Sequence, residues 1–117
     1  MSAAYLIVTI ITIVANAWAA AADFVRARFV LATMAEVGVP RPWLTPLGML
    51  KAAGAAGLLI GVLGARPLGI VAAIGLVLFF AGALITHIRA GVLHNIAAPA
   101  TYFVLAVASA ILAIATS

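Results

Sequence analysis

Two apolar stretches separated by a short turn decide the fold: PLGMLKAAGAAGLLIGVL at residues 46–63, GARP at 64–67, and LGIVAAIGLVLFFAGALITHI at 68–88. A helix needs about 20 predominantly apolar residues to cross the hydrocarbon core of a bilayer, and both stretches have about that length. Because the turn between them is so short, they predict an antiparallel hairpin of two membrane-spanning helices.

Two further apolar runs, at residues 3–22 and 96–115, bring the expected number of spans to four. The first run is longer than the apolar core of a signal peptide and has no basic residue before it, so we expect a retained span. The period-two alternation of a membrane β-barrel is missing. We therefore predict an all-α membrane protein, an antiparallel bundle of four transmembrane helices, with one domain over residues 1–117.

The composition excludes several classes of protein. Of the 117 residues, 68% are hydrophobic and 7% are charged, with a mean hydropathy of +1.39; soluble domains are about a quarter charged. Disorder requires low hydrophobicity and high net charge. There is no cysteine, which excludes disulfide, thiolate-metal and thiol-nucleophile chemistry. The six basic residues are dispersed and form no aromatic-basic patch, so we expect no nucleic-acid partner.

The connection DFVRARFVLATMAEVGVPRPWLTP at residues 23–46 carries both acids and three arginines among apolar residues. This mixture is typical of an interfacial helix, or of an extension of the first span, at the level of the lipid headgroups, and we expect an interfacial helix between spans one and two. Gly38, Pro40 and Pro42 should end it. We expect Thr45 to cap the second span and Pro46 to occupy its first helical position.

The distribution of Lys and Arg predicts the orientation. Arg26, Arg28 and Arg41 follow span one, Arg89 follows span three, and Arg66 alone lies in the turn after span two. The positive-inside rule then places loops one and three in the cytoplasm and both termini outside. The expected location is the cell membrane, with the chain crossing it several times.

Small residues recur on the second span, where Gly57 and Gly61 are four positions apart. Such a pair allows two helix backbones to approach closely without a hydrophobic driving force. We therefore expect close helix packing at this face.

The polar residues of the spans converge on the proposed cytoplasmic half, whereas we expect the outer half to contain little besides Arg66. Polar groups in a bilayer are costly and are candidates for function. The converging residues are Asn16, Asp23, Lys51, Thr86, His87, Arg89 and His94.

Lys51 and His87 are the candidate catalytic residues of this cluster. Lys51 lies against the dipole at its helix N-terminus and should need an anionic partner, which is Asp23, Glu36 or a ligand. His87 can move a proton near neutral pH. Both can also donate hydrogen bonds to quinone carbonyls if the imidazole is protonated. The alternative interpretation is that both are interfacial anchors without a ligand.

The candidate ligand-binding residues are Asn16, Asp23, Thr86 and Arg89. Asn16 and Asp23 are seven positions apart and share one helix face. We expect a cleft whose apolar walls are formed by Leu47, Leu50, Phe80 and Ala83. Two histidines without a carboxylate at ligand spacing predict no metal site.

Three motifs resemble those of the DoxX-like membrane proteins. KAAGAAGLLIG at residues 51–61 is similar to the K-x-x-G-x-x-x-L-L-x-G stretch of that family. THIRAG at 86–91 resembles its second signature, and GVP at 38–40 fits the segment before span two. The resemblance covers nearly the whole chain and implies a link to quinone-dependent redox reactions, because the family takes its name from the membrane part of an archaeal thiosulfate:quinone oxidoreductase.

Three functions remain open from the sequence. The first is binding of a quinone or another lipophilic small molecule at the cytoplasmic side, as a membrane subunit of a redox system or as a homo-oligomer. The second is a membrane-embedded isomerase or cyclase that does acid–base chemistry on a hydrophobic substrate. The third, a small multidrug transporter, normally requires a titratable group within the first span, where the deepest polar residue is Asn16.

Overall fold

The computed structural model describes residues 2–116, which form five α-helices and one 3₁₀ turn with no strand. The elements are α1 Ala3–Phe24, α2 Arg28–Val37, a 3₁₀ turn Arg41–Trp43, α3 Leu44–Leu63, α4 Arg66–Arg89 and α5 Ala97–Ala115. Helices α1, α3, α4 and α5 are long and apolar enough to cross a membrane. The predicted all-α bundle of four spans is therefore confirmed.

The four long helices pack in the cyclic order α1, α3, α4, α5. Neighbours are antiparallel, because rising residue numbers on one helix meet falling numbers on the next. On α1 and α5, for example, Thr12 meets Ser109 and Ala15 meets Tyr102. The core between the helices consists of Leu58, Ala73, Leu76, Phe80, Ala106 and Ala110.

Helices α3 and α4 approach each other closely at two glycines of α3. A Cβ atom placed on Gly57 would lie 2.6 Å from the Cβ of Ala72, and one placed on Gly61 would lie 2.5 Å from the Cα of Gly69. Real Cβ atoms do not approach other atoms so closely, so the helices reach this separation because these positions lack side chains. The packing role predicted for Gly57 and Gly61 is confirmed.

The outer faces of the spans are apolar and unpartnered by protein. Large side chains such as Val14, Leu78, Val104 and Ile111 are more than half exposed. In water such a surface would be strongly unfavourable, and in a bilayer it meets acyl chains of matching polarity. These faces are the lipid contact surface of the bundle.

The start of the second span differs from the sequence prediction. Helix α3 begins at Leu44, directly after the 3₁₀ turn, and no side chain caps it. Thr45 is therefore inside the first helical turn, and its predicted role as cap is wrong. Pro46 is the third helical residue rather than the first, which a helix tolerates because the first four backbone N–H groups have no intrahelical acceptor.

Helix α2 is the predicted helix between spans one and two. It ends at Gly38, whose φ of 76° suits the left-handed conformation of a helix C-terminus. Met34 is the buried residue of this helix. Helix α2 contacts α4 and covers the end of the bundle at which α1 and α4 finish and α3 and α5 begin.

Candidate ligand-binding cavity

A cavity of about 700 Å³ lies beneath α2, at the end of the bundle where α1 and α4 finish and α3 and α5 begin. Its volume is in the range of small-molecule sites, which are mostly apolar with a few convergent polar groups. Six aromatic side chains form much of its wall: Trp18, Phe29, Trp43, Phe79, Phe80 and Tyr102. The polar residues in the wall are Asp23, Thr33, Lys51, Thr86, His87 and Asn95.

Lys51 and Asp23 form a direct ion pair in the cavity wall. The ammonium Nζ lies 2.8 Å from Oδ2 of Asp23, whose side chain is 3% exposed. Of the partners considered for Lys51, the structure therefore selects Asp23. Nζ also lies 5.6 Å from the centre of the Phe79 ring, within the range of a cation–π contact. These contacts hold the lysine inside the bundle.

His87 has one engaged and one free ring nitrogen. Its Nδ1 lies 2.9 Å from the carbonyl oxygen of Ala83 on the preceding turn of α4. A carbonyl oxygen only accepts hydrogen bonds, so Nδ1 carries the hydrogen. Nε2 is buried and has no partner among the described residues. The residue as a whole is 6% exposed, so this nitrogen is turned away from solvent.

Four of the six predicted site residues line the cavity, namely Asp23, Lys51, Thr86 and His87. The hydroxyl of Thr86 donates to the carbonyl of Gly82, 2.8 Å away. The side chains come from α1, α3 and the last turn of α4. Antiparallel packing brings those helix ends together, as the predicted topology required.

The structure does not bring Asn16 and Arg89 to this cavity. Asn16 is fully buried two turns before Asp23, where its Nδ2 donates to the carbonyl of Thr12. Arg89 is exposed at the last residue of α4. Leu50, expected in the wall, is 56% exposed and lies outside it. Leu47, Phe80 and Ala83 do line the cavity.

The contribution of α2 to the cavity wall was not predicted from the sequence. Five of its residues face the cavity: Phe29, Val30, Thr33, Met34 and Val37. Their spacing of three and four positions is the signal of one helical face, but an interfacial helix facing lipid has the same spacing. The helix therefore covers the cavity in addition to separating two spans.

Asn95 was also missed, because it lies in the last loop next to an exposed histidine. Its Nδ2 lies 3.3 Å from Oγ1 of Thr33 on α2, and its Oδ1 is buried without a partner. Nε2 of the exposed His94 beside it lies 3.1 Å from Oε2 of Glu36. Both contacts join the last loop to α2 at the edge of the cavity.

The other half of the bundle is more polar than expected. Thr9, Thr12 and Ser109 are buried there, and the hydroxyls of Thr12 and Ser109 lie 2.9 Å apart. Threonine and serine appear weakly polar in a sequence because their hydroxyls can bond to their own helix. Arg66 packs 4.1 Å from the Tyr5 ring and donates to the carbonyl of Ala113.

The described residues contain no group of three or more His, Asp or Glu side chains arranged to hold a metal ion. The polar groups in the cavity wall are instead one ion pair and single hydrogen-bonding atoms. Their arrangement suits an organic molecule with a few polar atoms.

A family model described as the DoxX-like family matches residues 7–109. The chain belongs to the DoxX-like family. The matched region contains every residue of the cavity wall, from Trp18 to Tyr102. The resemblance expected from residues 51–61 and 86–91 is thus confirmed, and this DoxX-like chain is a multi-pass membrane protein. Neither the curated proteins nor the solved structures gave a match.

Proposed function

We propose that this DoxX-like protein binds a lipophilic small molecule, a quinone or a molecule of similar size and polarity, in the cavity beneath α2. The observation that carries the proposal is the composition of the cavity wall. Aromatic and aliphatic side chains surround a space of about 700 Å³, and an ion pair and a free imidazole nitrogen interrupt them. Apolar walls with a few polar atoms bind and orient a ring with oxygen substituents.

The position of the cavity supports an entry from the bilayer. Its walls come from the ends of spans, and α2 with its interfacial composition forms the cover. A molecule dissolved in the membrane would reach the cavity without crossing water. We place this end of the bundle at the cytoplasmic leaflet on the basis of the arginines, and we propose that a redox partner there exchanges electrons with the bound molecule.

The proposal is tested by blocking the cavity. Ala98 and Ala97 are exposed alanines in the first turn of α5, and Ala98 lines the cavity whereas Ala97 does not. We expect wild type and Ala97→Phe purified in mild detergent to retain the same lipophilic molecule, identified by extraction and mass spectrometry. Ala98→Phe should have lost most of it. Equal content in all three folded proteins, or none in wild type, would count against the proposal.

A second candidate function is an isomerase or cyclase, favoured by the free Nε2 of His87 and by Lys51 in the wall of the same cavity. The imidazole would move a proton, and the ammonium would stabilise a developing negative charge. Incubation of the retained molecule with the protein in deuterated water separates the two functions. An isomerase incorporates deuterium into carbon positions of its substrate, and a binding protein leaves them unchanged.

A further inference from the structure

Two residues of the cavity wall, His87 and Asn95, each have one buried side-chain atom without a hydrogen-bond partner among residues 2–116. One is Nε2 of His87 and the other is Oδ1 of Asn95. Buried polar atoms are almost always hydrogen-bonded in proteins, because leaving one unpaired is costly. Two such atoms in the wall of one cavity therefore indicate what the occupant supplies.

The roles of the two atoms follow from their neighbours. Nδ1 of His87 donates to the Ala83 carbonyl, so in the uncharged form of the ring Nε2 presents a lone pair. The amide of Asn95 donates through Nδ2 to Thr33, which leaves the carbonyl oxygen free. Lys51, the cationic donor of the wall, uses one of its three N–H groups on Asp23, 2.8 Å away. The hydroxyl of Thr86 donates to the Gly82 carbonyl.

We infer that the occupant is a hydroxyl-bearing lipophile, a phenol or the quinol form of a quinone, whose O–H groups donate to Nε2 of His87 and Oδ1 of Asn95. This inference rests on the proposed function and narrows its ligand class. A fully oxidised quinone offers only carbonyl acceptors and would leave both atoms unpaired. In this inference His87 accepts a hydrogen bond from the occupant, whereas the sequence analysis considered a protonated His87 that donates one to a quinone carbonyl.

The test compares 4-octylphenol with its methyl ether, 4-octylanisole, which has a similar shape but no hydroxyl hydrogen. We expect isothermal titration calorimetry in mild detergent to give wild type about tenfold tighter binding of the phenol, the size of one well-placed hydrogen bond. Because the phenol has a single hydroxyl, it donates to one of the two atoms, and at least one of the variants His87→Phe and Asn95→Leu should bring the ratio of the two affinities close to one. The control His94→Phe changes an exposed histidine outside the wall and should keep the wild-type ratio.

The outcomes distinguish a failure of the hydroxyl inference from a failure of the proposed lipophile binding. Equal affinities for phenol and ether in wild type, or tighter binding of the ether, would overturn the hydroxyl inference while leaving lipophile binding intact. A tenfold ratio that persists in both His87→Phe and Asn95→Leu would also overturn it. Absence of saturable binding of either probe to wild type would refute the proposed function itself. If His87→Phe does not fold, the ratio of the phenol and ether affinities in wild type still decides.

Discussion

Asp23 is a charged side chain held almost entirely out of solvent, at 3% exposure, next to a lysine at 16%. An ion pair in such a place is weak evidence of stability, since removing two charges from water offsets their attraction. Removing one partner has a much larger effect, because the other charge is then buried alone. The pair therefore keeps a charge in the cavity wall without leaving it uncompensated.

Lys51→Met should destabilise the folded protein by about 3 kcal/mol through the stranded carboxylate of Asp23. The double variant Asp23→Asn with Lys51→Met should recover most of that loss, because neither side chain is then charged. Thermal unfolding followed by circular dichroism in detergent measures both effects. A double variant as unstable as Lys51→Met would show that the lysine matters for packing rather than for its charge.

The hydroxyls of Thr12 and Ser109 join α1 to α5 in the buried middle of the bundle. Interhelical hydrogen bonds in membrane proteins contribute modestly, on average about 0.6 kcal/mol. A double-mutant cycle of Thr12→Val and Ser109→Ala should give a coupling free energy of that order. Additive effects of the two substitutions would mean that the contact contributes nothing to stability.

At the level of the helices, the α3–α4 hairpin depends on glycines at which an added Cβ atom would overlap the facing helix. Gly61→Ala would place a methyl group against the backbone of Gly69, which cannot move aside as a side chain can. We expect a loss of about 1–3 kcal/mol from overpacking. A control is Gly75→Ala on α4, where nothing lies within 4 Å of the added carbon.

Gly75→Ala should leave stability unchanged or raise it by about 0.5–1 kcal/mol, because alanine favours a helix more than glycine does. Thermal unfolding of the two variants side by side measures the difference. Equal unfolding temperatures for Gly61→Ala and Gly75→Ala would contradict the close backbone contact.

Helix α2 is the element whose position the sequence left open, and cross-linking can test it. The chain has no cysteine of its own. Cysteines replacing Thr33 and Asn95, whose polar atoms lie 3.3 Å apart, should form a disulfide rapidly under mild oxidation. The control pair replaces Ala35 and Asn95, and Ala35 lies two positions along α2 on an exposed face. Equal cross-linking of both pairs would show that α2 does not cover the cavity.

The four spans were predictable because length and apolar content are properties of each segment alone. That Lys51 and His87 lie at the same end of the bundle was predictable, because antiparallel spans fix which helix ends meet. The role of α2 and Asn95 was not, since nothing in residues 28–37 distinguishes a face turned to lipid from one turned to a cavity. The prediction that Thr45 caps α3 was wrong, because the 3₁₀ turn at Arg41–Trp43 continues directly into the helix.

At the scale of the whole molecule, the two ends of the bundle differ in chemistry. One end has the cavity with the Lys51–Asp23 pair, and the other has Arg66 packed on the Tyr5 ring. The arginines of loop one and Arg89 are at the cavity end, so the positive-inside rule assigns that end to the cytoplasm. A lipophile bound there would be accessible to cytoplasmic partners.

Reporter fusions test this orientation. Fusions at Val39 and Val92 should report a cytoplasmic location, and a fusion at Ala65 an external one. The reverse pattern would move the cavity to the outer leaflet and remove the argument for a cytoplasmic redox partner. The cavity and its residues would be unchanged.

Binding of a lipophilic molecule in the cavity can be measured directly, because both tryptophans of the chain, Trp18 and Trp43, line the cavity. The measurement is a titration of tryptophan fluorescence with a short-chain quinone, which quenches nearby indoles, in wild type, Ala98→Phe and Ala97→Phe. We expect saturable quenching at one site in wild type and Ala97→Phe, and at least tenfold weaker binding in Ala98→Phe. Linear, unsaturable quenching that is the same in all three folded proteins would contradict this expectation.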